Sequence, residues 1–204
     1  LEHLVELLGM VEKILINFCG DSFCRDVCDL SWCGIVANSL DNTTIVGEGA
    51  GGTAHEHAIQ TFNAEADINI FCWTEAQRFY HKNYAINSSS IERLIKQKTK
   101  MPVYQAASIY YKYLHDFEYA EKRQYRDLYW FDHEILSKYK GTVLHLWSFQ
   151  NIYMFKHGIT MTQPITKLFQ TYPKKGEVST LNHLSLEDNK KFAEIVLKYL
   201  KNTC

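Results

Sequence analysis

Ser22 and His183 are the two residues in this chain whose types fit together as a nucleophile and its base. A serine hydroxyl attacks a carbonyl only when an imidazole removes its proton, and the two must come within hydrogen-bond reach. Ser22 follows the apolar run Ile14-Leu15-Ile16-Asn17-Phe18-Cys19, which ends at Gly20-Asp21-Ser22. Beyond it Val27, Leu30, Trp32, Ile35, Val36 and Leu40 recur at helical spacing, predicting a helix over about 25–40. Strand, tight glycine turn, serine and helix together expose a hydroxyl at the mouth of a parallel sheet, near unpaired helix N–H groups. The plain alternative makes Ser22 or Asp21 an N-cap. His183 stands in Thr180-Leu181-Asn182-His183-Leu184-Ser185, ahead of an amphipathic closing helix predicted over 186–200.

The elements that must position these residues alternate in kind. Strands are predicted at 14–19, 43–46, 67–73 and 142–149, with a further short one near 168–171, and a helix at 53–62. Alternation of this kind predicts a three-layer α/β fold with a mostly parallel sheet over 10–204, one domain. In such sheets functional groups collect beyond the carboxyl ends of the strands. The unusual polar groups stand there: Ser22, then Gly47-Glu48-Gly49-Ala50-Gly51-Gly52, then Thr74, Glu75 and Arg78, then Gln150-Asn151. The stretch over about 88–140 reads as a tyrosine-rich helical insertion, with a capping-box option from Ser89 to Glu92 and a new helix from Pro102. Its aromatics are expected to pack as core and lid; the sharper reading is a stacking wall for a sugar or base.

Composition excludes several classes. A net charge of -1 with no long run of one sign leaves no footprint for nucleic acid. No apolar run is long enough to span a membrane, and none reads as a secretory signal, so a cytoplasmic or virion-associated location is expected; residues 1–9 read as a tag remnant or short leading helix. Four of the six cysteines crowd the first strand and helix without a CxxC pair, which reads as buried, reduced thiols. Cys24, Cys28, His55 and His57 make a zinc site only on paper; His55 and His57, flanking Glu56, are expected at a rim, so no metal and no other cofactor is expected. The glycine run fits G-x-G-x-x-G, but it follows the second strand, holds Glu48 where pyrophosphate would sit, and has no acidic residue ending the next strand.

With Gly20-Asp21-Ser22-Phe23 after the first strand and His183 before the last helix, the chain resembles the SGNH/GDSL hydrolases, in a divergent bacterial or phage-type form. The resemblance implies a flavodoxin-like sheet and acyl-ester hydrolysis, of the esterase or carbohydrate O-deacetylase type, on a small-molecule or carbohydrate ester. It makes Ser22 the nucleophile and His183 the base, with the Ser22 amide and that of Gly47 or Gly49 holding the oxyanion. Two departures stand out. The family's Asp three residues before its His is Thr180 here, which can orient an imidazole but cannot stabilise an imidazolium as a carboxylate does. The family's Asn after the third strand is replaced by Trp73-Thr74-Glu75-Ala76, leaving Thr74, Gln77 or Arg78 as donors. Glu177 or Asp188 stands close enough in sequence to replace the acid. The competing expectation is a non-catalytic carbohydrate-binding or virion structural module on the same fold. Nothing in the sequence assigns an oligomeric state.

Overall fold

The computed structural model describes residues 13–82, 84, 86–88, 91, 95, 101–171 and 180–201. The strands are β1 (Ile14–Gly20), β2 (Thr43–Gly47), β3 (Ile68–Trp73), β4 (Thr142–Trp147) and β5 (Ile159–Thr160). The helices are α1 (Trp32–Asn38), α2 (His55–Gln60), α3 (Pro102–Tyr113), α4 (Phe117–Trp130), α5 (Ile165–Leu168) and α6 (Leu186–Lys201). All five strands are parallel, in the order β2-β1-β3-β4-β5. That is the flavodoxin-like order, with its switch point between β1 and β3. No helix among the described residues is long and apolar enough to cross a membrane.

Alternation along the strands builds the three layers. Ile16 and Phe18 of β1, Ile70 and Cys72 of β3, and Leu144 and Leu146 of β4 pack with Trp32 and Val36 of α1 and Phe192 and Val196 of α6. The intervening residues Cys19, Phe71, Trp73, Val143 and Trp147 pack on the other face against Ala58 of α2 and Leu128 of α4. Trp32 joins the first layer at its centre, edge-on to Phe18 at 5.5 Å and to Phe192 at 5.0 Å. Burying each such side chain stabilises the fold by roughly 1.5–3 kcal/mol.

Three elements differ from the sequence expectation. The helix after Ser22 starts at Trp32, ten residues later than the serine, because Ser31 caps it. The Ser31 Oγ accepts from the amides of Cys28 (3.1 Å) and Gly34 (3.2 Å) and donates to the Cys28 carbonyl (2.8 Å). Ser22 therefore sits in an irregular turn, not at a helix N-terminus. The fifth strand is Ile159–Thr160, entered through Gly158 at φ 93°; the apolar run expected as a strand near 168–171 instead follows the single helical turn α5. The helical insertion breaks at Asp116, whose side chain caps α4 by accepting from the Tyr119 amide (2.9 Å). Its aromatics are not mainly core: Tyr113 at the end of α3 is exposed, and so are Tyr119, Tyr125, Tyr129 and Trp130, because the buried stripe of α4 is only Ala120, Gln124 and Leu128. The Ser89–Glu92 capping box lies outside the described residues.

Candidate active site

Gly20 closes β1 with φ 137°, and any side chain there would collide with the Cys72 carbonyl of β3. The chain turns at once, held by Asp21. This carboxylate is fully buried; Oδ1 accepts from the Phe23 amide (3.0 Å) and from the Ser148 hydroxyl beyond β4 (3.1 Å). The Arg78 guanidinium lies 3.6 Å from its Oδ2. Asp21 thus ties together the ends of β1, β3 and β4, and Ser22 is the residue it leaves pointing out of the turn.

His183 meets that serine across 161 positions of sequence: its Nε2 lies 2.6 Å from Ser22 Oγ. The imidazole packs on the buried Phe23 ring at 4.9 Å. Asn182 and His183 both adopt left-handed backbone, φ 51° and 65°. The conformation costs roughly 1–2 kcal/mol per residue for ordinary side chains and less for Asn. Asn182 offsets it by clasping the turn after Ser22: its Oδ1 accepts from the Asp26 amide (2.8 Å) and its Nδ2 donates to the Asp26 carbonyl (3.1 Å). Burial pushes the His183 pKa below 6.5, opposed by the charge of Asp21 and reinforced by Arg78 and Arg25. A neutral imidazole with its proton on Nδ1 accepts the serine proton at Nε2.

The other sequence candidates divide. Gly47 faces Asn17, whose carboxamide would collide with any side chain there and instead reaches Asn69 and the Thr61 carbonyl, both at 2.8 Å. Gly49 packs under the Asp21–Cys24 turn, and its amide is taken by the Cys24 carbonyl (3.0 Å). The Gly49 amide is therefore engaged, and Gly47 pairs with Asn17 of β1 at the end of β2. Gly51 is the glycine beside the serine: a Cβ there would stand 3.8 Å from Ser22 Cβ. Among the described residues no acceptor takes up the amide of Ser22 or of Gly51. The amides of Gly49 and Ala50 both bond inward, so this loop does not present the row of free N–H groups a pyrophosphate needs.

Thr74 is buried with its hydroxyl unpartnered among the described residues, one position beyond β3. Arg78 is engaged by Asp21, Glu75 (3.4 Å) and the Thr53 carbonyl (3.3 Å), with its guanidinium over Phe149 at 5.3 Å. Glu75 is its partner and not a site carboxylate. Thr180 is exposed and makes no hydrogen bond to His183 among the described residues, and Asp188 is bonded to Ser185 (2.8 Å) at the start of α6. Glu177 lies outside the described residues.

The helical insertion braces this rim from behind. Gln124 of α4 donates to the Thr74 carbonyl (2.8 Å), and Arg123 to the carbonyls of Arg78 (3.1 Å) and Ala76 (3.4 Å). Sequence reasoning missed Asn182, Gly51, Ser148 and Gln124. Only Asn182 carried a signal, since Asn tolerates the left-handed conformation.

His55 is not at a rim. It is fully buried, with Nδ1 3.3 Å from Glu56 and Nε2 3.1 Å from Asp127. Among the described residues these three are the group whose ligand atoms, within 4.8 Å of one another, could hold a metal ion. Arg123, 3.6 Å from Glu56, already supplies positive charge there. Burial pushes the thiols of Cys19, Cys33 and Cys72 well up, so they stay protonated.

A cavity of about 230 Å³ has Gly51, the glycine next to Ser22, and Thr53 in its wall, and is not lined by Ser22 or His183 themselves. A second, of about 240 Å³ and apolar, continues past Phe79 and His81 to Val103 and Tyr110 of α3. A larger one, about 680 Å³, lies at the opposite strand ends beside Asp67 and Gly141, with no Ser, Cys or His in its lining. Compared with family models, curated proteins and solved structures, the chain matches none.

Proposed function

We propose that this chain is a serine ester hydrolase of the SGNH/GDSL type, acting on a small-molecule or carbohydrate ester. The observation that carries the reading is the 2.6 Å contact between Ser22 Oγ and His183 Nε2 at the switch point of the sheet. Ser22 attacks the ester carbonyl while His183 takes its proton; the proton then passes to the leaving alcohol. Water, deprotonated by the same imidazole, releases the acid and restores the hydroxyl. The amides of Ser22 and Gly51 are donors for the oxyanion, and the Thr74 hydroxyl is a third candidate. Ser22 and His183 are the pair on which the reading rests, as a Ser–His dyad or as two members of a triad.

The exposed Thr180 favours the second reading, a binding module that has kept the fold without the chemistry. A fluorophosphonate probe separates the two. Labelling of Ser22, located by peptide mass spectrometry and lost in Ser22→Ala and His183→Ala, is expected alongside hydrolysis of 4-nitrophenyl acetate. Wild-type protein that takes no label and turns over no short acyl ester would leave the binding-module reading.

A further inference from the structure

The 230 Å³ cavity, which shares Gly51 with the surroundings of Ser22, has a one-sided lining. Phe79, Tyr80 and Tyr84 supply rings, His57 and His81 imidazoles, His81 at 4.9 Å from the Tyr84 ring, and Lys82 a cation, and no Asp or Glu lines it. Tyr80 is held by its hydroxyl on Gln60 (2.6 Å), and burial keeps His57 biased toward its neutral form. Arg25, whose guanidinium would stand 3.2 Å from a Cβ on Gly51, is neutralised by Asp26 at 3.0 Å. Lys82 pairs with no carboxylate among the described residues, although the chain as a whole carries a net charge of -1. A cavity with rings on its walls and one uncompensated cation accepts a flat or ring-shaped group bearing negative charge, and its field draws such a ligand in.

Resting on the hydrolase reading of Ser22, we infer that the ester this site takes carries a carboxylate on the ring-shaped part seated in this cavity, within reach of Lys82. Aromatic walls suit the face of a benzoate or of a uronate-type sugar, and the ammonium suits the acid group.

A matched pair of esters tests this. Hydrolysis of 4-acetoxybenzoate transfers its acetyl group to Ser22, releases 4-hydroxybenzoate, and ends with water freeing acetate. Methyl 4-acetoxybenzoate undergoes the same steps without the charge. Each kcat/KM is divided by the ester's spontaneous hydrolysis rate. The wild-type ratio, charged over neutral, is expected at about fivefold, the upper range for an exposed ion pair. It should fall toward one in Lys82→Gln and in 0.5 M NaCl, persist in Lys82→Arg, and invert in Lys82→Glu. A wild-type ratio of one, or a ratio that survives Lys82→Gln, overturns the inference while the hydrolase reading stands. Should neither ester turn over, ligand-observed NMR of 4-hydroxybenzoate against its methyl ester decides. Binding of the carboxylate that Lys82→Gln removes upholds the charged cavity, and equal or absent binding overturns it; the hydrolase reading itself stands or falls with the fluorophosphonate label and 4-nitrophenyl acetate.

Discussion

Replacing Asn182 separates the two ways in which the chain holds His183 over Ser22. The side chain makes two hydrogen bonds to the Asp26 backbone, at 2.8 and 3.1 Å, and the residue sits at φ 51°. In Asn182→Ala both bonds are lost, at about 1 kcal/mol each. Alanine also adopts the left-handed region less readily, adding roughly 1 kcal/mol. The expected loss is thus about 2–3 kcal/mol, or a fall in Tm of roughly 5–10 °C for a chain of this size. Asn182→Gly loses the same bonds without the left-handed cost, and should be the milder variant by about 1 kcal/mol. Urea unfolding measures both. With the clasp gone the His183 loop no longer registers on the turn after β1. A displacement near 1 Å costs on the order of 100-fold in reactivity, so fluorophosphonate labelling of Ser22 should slow by at least about tenfold at a temperature where Asn182→Ala remains folded. An alanine variant within about 0.5 kcal/mol of wild type, or one less destabilised than the glycine variant, would show that neither the clasp nor the backbone conformation matters as argued.

The remaining predictions concern pH and the turn. Because burial holds the His183 pKa below 6.5, the acid limb of kcat/KM for 4-nitrophenyl acetate should have its midpoint below 6.5; a midpoint at or above that value contradicts the burial argument. Burial also pushes His145 down to about 3, its Nδ1 accepting from Trp73 Nε1 (3.0 Å) and its Nε2 donating to the His157 carbonyl (3.0 Å). The unfolded chain binds this proton below pH 6.5 and the native one does not, so stability falls from 6.5 toward 3, by about 1.4 kcal/mol per pH unit. Urea unfolding should show wild type losing about 2 kcal/mol more than His145→Gln between pH 6.5 and 4.5; parallel pH profiles for the two would refute it. Gly20→Ala, which drives a methyl into the Cys72 carbonyl, should cost roughly 3 kcal/mol, and an unchanged Tm would contradict the close approach of β1 and β3.

How much of this was legible in the sequence follows from the range of each interaction. Strand alternation is local: Ile16 and Phe18 against Asn17 and Cys19 announce which face each residue takes, so β1, β3 and β4 were readable and the layered α/β class with them. Ser22 and His183 were readable as a pair because their types combine in few chemistries. The start of α1 was not, since helical spacing from Val27 onward is real but Ser31 and its bonds to Cys28 and Gly34 override it. Nor could spacing choose among four glycines. Gly47 answers to Asn17, Gly49 to the Cys24 carbonyl and Gly51 to Ser22, and those partners are set by how the 47–53 turn folds over the end of β1. The direction of Arg78 was likewise decided by a buried carboxylate fifty-seven positions away in sequence, at Asp21, and the brace from Gln124 by the docking of α4. Residue types declared which chemistry the chain holds. Contacts between distant segments, each a long loop-closure away in the unfolded chain, decided which atoms are left free to perform it.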